Sequence, residues 1–168
     1  GGDGTTKHFR DGTSYVAKAV NQAKDEGILV VSAAGNDAQS HWMGTYQASS
    51  TVSPSSLGLS NYQSVMEFAP LSSGLQKACL PVNHGGWSVL SWNAWDSTTQ
   101  DYDFFLFDGA MSSFYEEFNQ NQADSAGNPI EVISSDYKRS DVCLVVASSS
   151  STENHLLHIY TICGSVNN

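Results

Sequence analysis

The sequence predicts a mainly β protein, an antiparallel β-sandwich or jelly roll that follows a partial α/β piece of one helix and one strand. Three observations carry that expectation. Residues 13–26 have the apolar period of a helix, residues 28–34 are an almost unbroken apolar run, and from about Asn61 the apolar period falls to two. Apolar residues make up 40% of the 168-residue chain and charged residues only 14%, which excludes disorder throughout. Seven Lys and Arg against seventeen Asp and Glu leave a net charge of −10, which repels nucleic acid and anionic membrane surfaces. No apolar run is long enough to span a bilayer.

In the helix, Val16, Ala19, Val20 and Ala23 fall on one face at i, i+3, i+4 and i+7. Thr13 or Ser14 is placed to cap its start, Lys24 lies in its last turn, and Gly27 stands where a left-handed C-terminal residue is needed. The run from Ile28 to Ala34 reads as a strand covered on both faces, the pattern of a parallel sheet flanked by helices. It ends in "AAGND", a turn over 35–37 with Asn36 at its tip.

Residues 49–60 are rich in Ser with one Pro and read as a loop or linker. The β region then runs from 61 to 164, with a tail over 165–168. Its expected strands are Tyr62 to Phe68, Leu75 to Leu80, Trp87 to Trp92, Asp101 to Phe107, Phe114 to Asn119, Pro129 to Ser135, Val142 to Ala147 and Leu156 to Cys163. Turn clusters such as "NHGG" and "SAGNP" separate them, and no helical segment interrupts the series.

The helix "YVAKAVNQAKDEG", the buried run "ILVVSA" and the turn "AAGND" together resemble the subtilisin-like serine peptidases. The resemblance implies that residues 1–48 are part of a catalytic domain, that the parent chain is a serine endopeptidase acting on protein or peptide, and that Asn36 donates to the oxyanion hole. The placement suits that role: an amide on a rigid strand end can stabilise the negative charge of a tetrahedral intermediate without reorganising. "NDAQSHWMGTY" followed by "LSWNAWD" and "DYDFFLFD" looks like the members that carry an inserted β-sandwich of the pre-peptidase C-terminal type before the catalytic Ser. The resemblance therefore puts the Asp, His and Ser of the triad outside this chain, and the fragment alone is expected to be inactive.

Two local motifs imitate catalysis. Ser14 in "DGTS" resembles a nucleophile motif but precedes the "AAGN" strand, which is the wrong order, and it reads as a helix cap. His84 in "NHGG" lies between two expected strands and reads as a hairpin residue. Asp96, Asp101, Asp103 and Asp108 crowd around the "DYDFFLFD" strand, and the oxygens of Asp96, Asp101 and Asp103 suit Ca²⁺; the competing reading is a solvated acidic edge. His155 and His158 would face opposite sides of one strand, which argues against zinc. His41 and Trp42 are placed either to line a substrate cleft or to pin the start of the insert, with packing the favoured role, and Trp87, Trp92, Trp95, Phe104 and Phe105 are expected to be mostly core rather than a sugar platform.

Cys79, Cys143 and Cys163 allow one internal disulfide and leave the pairing open. Low Lys, high Ser, Asn and Gln and net acidity fit an exported protein, in which that disulfide would persist. The start has no basic-then-apolar leader and no Met, so the sequence reads as a segment of a longer chain. The rival reading is a stand-alone β-sandwich module for a carbohydrate or protein ligand, with an unrelated helical extension in front.

Overall fold

The computed structural model describes residues 15–32, 39–69, 72–94, 100–118, 129–134, 138–150, 154–162 and 164–166. The chain falls into two compact units, 1–38 and 39–168. Among the described residues no helix is long and apolar enough to cross a membrane.

The first unit contributes helix α1, Tyr15–Asp25. It ends as its sequence dictates: Ile28 N–H donates to Ala23 C=O at 2.9 Å and Gly27 N–H to Lys24 C=O at 3.0 Å. This paired closure needs a left-handed residue, and Gly27 supplies it at φ 82 without the cost of a Cβ. No residue of α1 is buried. The expected strand over 28–34 is not formed across 28–32, which joins no ladder and leaves Leu29 and Val31 more than 80% exposed. A strand of a parallel sheet is defined by its neighbours, and no described residue of this unit pairs with it. Residues 33–38, with Asn36, lie outside the described residues.

The second unit is an antiparallel β-sandwich. Its strands are β1 His41–Thr45, β2 Ser64–Val65, β3 Leu80–His84, β4 Trp87–Trp92, β5 Tyr102–Asp108, β6 Phe114–Phe118, β7 Ile130–Ser134, β8 Arg139–Ser148, β9 Leu156–Ile162 and β10 Ser165–Val166. One sheet has the order β1-β9-β4-β7 and the other β10-β3-β8-β5-β6, with β2 paired to β8. Period-two patterning placed β4 without error and β5 to β9 within a few residues. It missed β1, β3 and β10. Leu75 to Leu80, read as a strand, is a 3-10 turn over Gly74–Ala78 that hands over to β3. Only Leu80 of that stretch enters the ladder, because its neighbours cover a sheet face instead of pairing at its edge.

The segment 49–60 is no slack linker. Its 3-10 turn Pro54–Leu57 is capped by Ser53, whose side chain accepts from Ser56 N–H at 3.3 Å. Val52, Leu57 and Leu59 are buried with Ala78, Cys79, Phe105, Phe107, Cys143 and Val145 in a second core. This core covers the face of the second sheet that points away from the first. Strand β5 is consequently buried on both sides: Tyr102, Phe104 and Leu106 fill the space between the sheets, and Phe105 and Phe107 fill the outer core. A strand sealed on both faces explains the continuous "YDFFLF" run. A disulfide between Cys79 and Cys143 pins the covering loop to β8, with a Cα separation of 5.0 Å.

Candidate functional site

The β unit begins and ends at one place. Val166 N–H donates to Gln39 C=O at 2.6 Å, Ser40 Oγ donates to Gly164 C=O at 2.7 Å, and Thr161 N–H donates to Ser40 C=O at 2.9 Å. Gly164 is required there, since a Cβ would run into the carbonyl of Asn83 and the amide of Gly85. Only Asp37 and Ala38 separate Asn36 from Gln39, so the chain enters the β unit directly after the expected oxyanion turn. Strand β1 follows at once. Trp42 packs edge-on against Phe68 at 5.0 Å, which anchors the entry strand to the core, as its sequence position suggested.

The acidic residues are brought together only in part. Asp96 lies outside the described residues. Asp101 and Asp103 are buried at 6% and 4% exposure, Ser149 Oγ donates to Asp101 Oδ2 at 2.9 Å, and the Tyr62 hydroxyl hydrogen-bonds Asp103. Asp108 turns to other work, its carboxylate accepting from Ser112 N–H and Oγ in the turn after β5. Among the described residues no three His, Cys, Asp or Glu side chains group closely enough to hold a metal ion. Ca²⁺ takes six to eight oxygens. Of the three carboxylates expected to bind it, only Asp101 and Asp103 are among the described residues.

What the burial does instead is hold a proton. Desolvation pushes the Asp103 carboxyl up to about 7, the negative charges of Asp101 and Glu117 add to the rise, and the Tyr62 hydrogen bond opposes it. Burial in turn raises the Tyr62 phenol, helped by Asp103. The folded state therefore binds a proton that the unfolded chain releases above the ordinary value of 3.8. The associated stability is complete below that value and disappears as pH rises through about 7. Asp103→Asn removes the dependence. It is expected to raise the thermal midpoint at pH 8 by roughly 5–10 °C, equivalent to about 2–4 kcal/mol, with no gain at pH 4. Melting curves of both proteins across that range check it; equal gains at the two pH values would show that Asp103 does not hold the proton.

His84 is 1% exposed, so it is a core residue and not a hairpin tip. Its Nδ1 lies 2.9 Å from Ser88 Oγ, and it borders a cavity of about 310 Å³ with Lys138 and Arg139. Burial lowers its affinity for a proton. Ser14 and Trp95 lie outside the described residues. Trp92, Phe104 and Phe105 are fully buried and form core, while Trp87 is half exposed.

One constellation escaped the sequence. His41 and His158 meet across β1 and β9, with His41 Nε2 2.9 Å from His158 Nδ1, and the His41 ring stacks on Tyr160 at 4.3 Å. The signal was the two-residue spacing of His158 and Tyr160, which says nothing until the pairing partner is known.

The family model of the subtilase family matches residues 2–156, and no curated protein matches the chain. The match begins in the helical unit and continues through nearly all of the β unit. On a match of that extent, the chain belongs to the subtilase family.

Proposed function

We propose that this chain is part of an exported subtilisin-like serine endopeptidase, in which residues 39–166 are a β-sandwich inserted directly after the oxyanion-hole strand. Asn36 is the oxyanion donor, and the Ser, His and Asp of the triad lie outside this chain. The observation that supports the insertion best is the meeting of Gln39 and Ser40 with Gly164 and Val166. Domains whose ends lie together can be inserted into a host with little disturbance, because the host chain resumes near the point where it broke off. The exposed apolar run of Ile28 to Val31 supports the other half of the reading, since it has the character of an interior strand whose sheet is supplied by the rest of a catalytic domain. The disulfide supports export.

In the proposed reaction a Ser activated by His attacks the peptide carbonyl. The negative charge passes to the former carbonyl oxygen, where Asn36 donates a hydrogen bond. The amine leaves with a proton from the His, and water releases the acyl group. The stand-alone binding module is favoured by the self-contained core of the β unit, but it leaves the family match across the helical unit without a reason.

A fluorophosphonate probe separates the two readings. The full-length protein is expected to be labelled at one Ser downstream of residue 168, and the 168-residue chain not at all, because an unactivated hydroxyl is a poor nucleophile. A full-length protein that folds and takes no label would leave the binding module standing, and labelling of Ser14 would overturn its reading as a helix cap.

A further inference from the structure

The proposed chemistry makes no use of the cavity beside His84. It opens where β3 ends and β8 begins, with about 310 Å³ between His84, Gly85, Lys138, Arg139 and Gly164. A β-bulge shapes it. Val82 pairs with Val142 and His84 with Arg139, so Ser140 and Asp141 of β8 together oppose Asn83 of β3, and Asp141 takes φ 53. Val142 points into the core between the sheets, and plain alternation from it would leave Arg139 on the other face. The extra residue returns Arg139 to the face of His84, because directly paired residues of a ladder share one. Residues 39–168 contain three Lys or Arg against twelve Asp or Glu, and Lys77 pairs with Glu67 at 3.8 Å. The other two cations of the β unit, Lys138 and Arg139, both border this cavity.

His84 adds a neutral donor. Burial holds the ring in its neutral form, against the pull of Glu116 and with the help of the Arg139 charge. A neutral ring carries one hydrogen, and the contact with Ser88 decides where. Ser88 is fully buried, and among the described residues its Oγ meets only His84 Nδ1, at 2.9 Å. A hydrogen on Nδ1 would leave the Ser88 hydroxyl hydrogen buried without an acceptor. Ser88 Oγ therefore donates to Nδ1, and the ring hydrogen sits on Nε2. That Nε2–H is buried and has no hydrogen-bond partner among the described residues. A buried donor left unpaired is costly, so an acceptor that reaches it is bound the more tightly. The Arg139 guanidinium carbon sits 4.2 Å over the Tyr115 ring, a stack that steadies the group, whose N–H donors lie in its own plane.

We propose that this cavity is a carboxylate-binding site, in which Arg139 and Lys138 supply charge and N–H donors and His84 Nε2–H donates a further hydrogen bond to the bound carboxylate. Charge-assisted bonds from a guanidinium and an ammonium are the strong kind, and a guanidinium edge matches the two oxygens of a carboxylate. A doubly charged phosphate is the poorer ligand. It would meet the negative charges of Glu116, which is felt at His84, and of Asp141, two residues from Arg139. The volume is at the lower end of the range for small-molecule sites, about 300–1,000 Å³, and has room for an acidic side chain or a small organic acid. These two sources present the same carboxylate. The site belongs to the β unit and does not rest on the peptidase reading.

Titration of the 168-residue chain, followed by amide NMR shifts at neutral pH and constant ionic strength, tests it. The probes are N-acetylglutamate amide, which carries one carboxylate, a blocked pentapeptide with one central glutamate, and N-acetylglutamine amide as the uncharged control. The carboxylate probes are expected to give saturable shifts at Gly85, Ser140 and Gly164, and the glutamine control none. Arg139→Gln should weaken binding about tenfold or more, the loss of a charge-assisted hydrogen bond. His84→Phe keeps a ring but removes the donor and should also weaken it; Lys138→Gln, at an exposed position, serves should either of these fold poorly. Tighter binding of the pentapeptide would assign the site to an acidic residue of a polypeptide, and tighter binding of the amino-acid probe to a free small acid; both uphold it. No saturable shift with either carboxylate probe, equal shifts with the glutamine control, or unchanged affinity in the folded variants would overturn it.

Discussion

Asn36→Ala in the full-length peptidase is expected to lower kcat by about 10²–10³ while KM stays within a few-fold. That magnitude is the one known for the oxyanion-hole asparagine of subtilisin itself and comes to this chain through the family, not through its own geometry. The physical reason for the split between kcat and KM is that the ground-state carbonyl is a weak acceptor, while the tetrahedral oxyanion is a charged one. A donor removed from the site therefore costs mainly in the transition state. Asn36→Asp should be at least as damaging, since it replaces a donor with a negative charge beside the developing oxyanion. Steady-state kinetics on a peptide substrate, with folding verified by a thermal melt, make the measurement. A folded Asn36→Ala enzyme with near wild-type kcat would return Asn36 to being a turn residue.

Removing the disulfide should have the largest effect on stability. Cys79 and Cys143 are 64 residues apart in sequence, so the bond eliminates much of the freedom of a long loop in the unfolded chain. Loop closure of that length is worth about 4 kcal/mol on the chain-entropy account, and measured losses for native disulfides are about 2–5 kcal/mol. Both cysteines are nearly inaccessible, at 3% and 1% exposure, and they sit in the outer core among Ala78, Phe107 and Val145. A double Cys79→Ala and Cys143→Ala variant is expected to shift the urea midpoint downward by an amount matching that loss. The native protein should also resist reduction until it unfolds, because a thiolate must reach one of the sulfurs. An unchanged midpoint in the double variant would mean that the covering loop holds to β8 by apolar packing alone.

The pairing of these cysteines shows where local information stops. Three cysteines allow three pairings, and spacing does not rank them. The choice follows from the 3-10 turn Gly74–Ala78 lying across the outer face of the second sheet, which presents Cys79 to Cys143 on β8. Asp103 is a similar case. The alternation of "DYDFFLFD" separates its side from that of Tyr102, but only the loop carrying Tyr62 seals that side and makes the carboxyl hold a proton near neutral pH. The same loop turns the expected acidic rim into buried groups.

By itself the sequence determined what depends on near neighbours along the chain: helix α1 and its Gly27 closure, the period-two strands β4 to β9, the excess of acid, and the subtilase motif that ends at Asn36. Backbone sterics and the alternation of side chains act over a few residues, so a short window contains their cause. The tertiary structure alone decided which strands pair, that 49–60 packs as a second core, that 28–32 stands outside any ladder, and that entry and exit meet. It also set His41 against His158 across 117 residues of sequence. These depend on which surfaces come together when the sheets bury their apolar faces, a choice made by the whole set of contacts and written in no local stretch of residues.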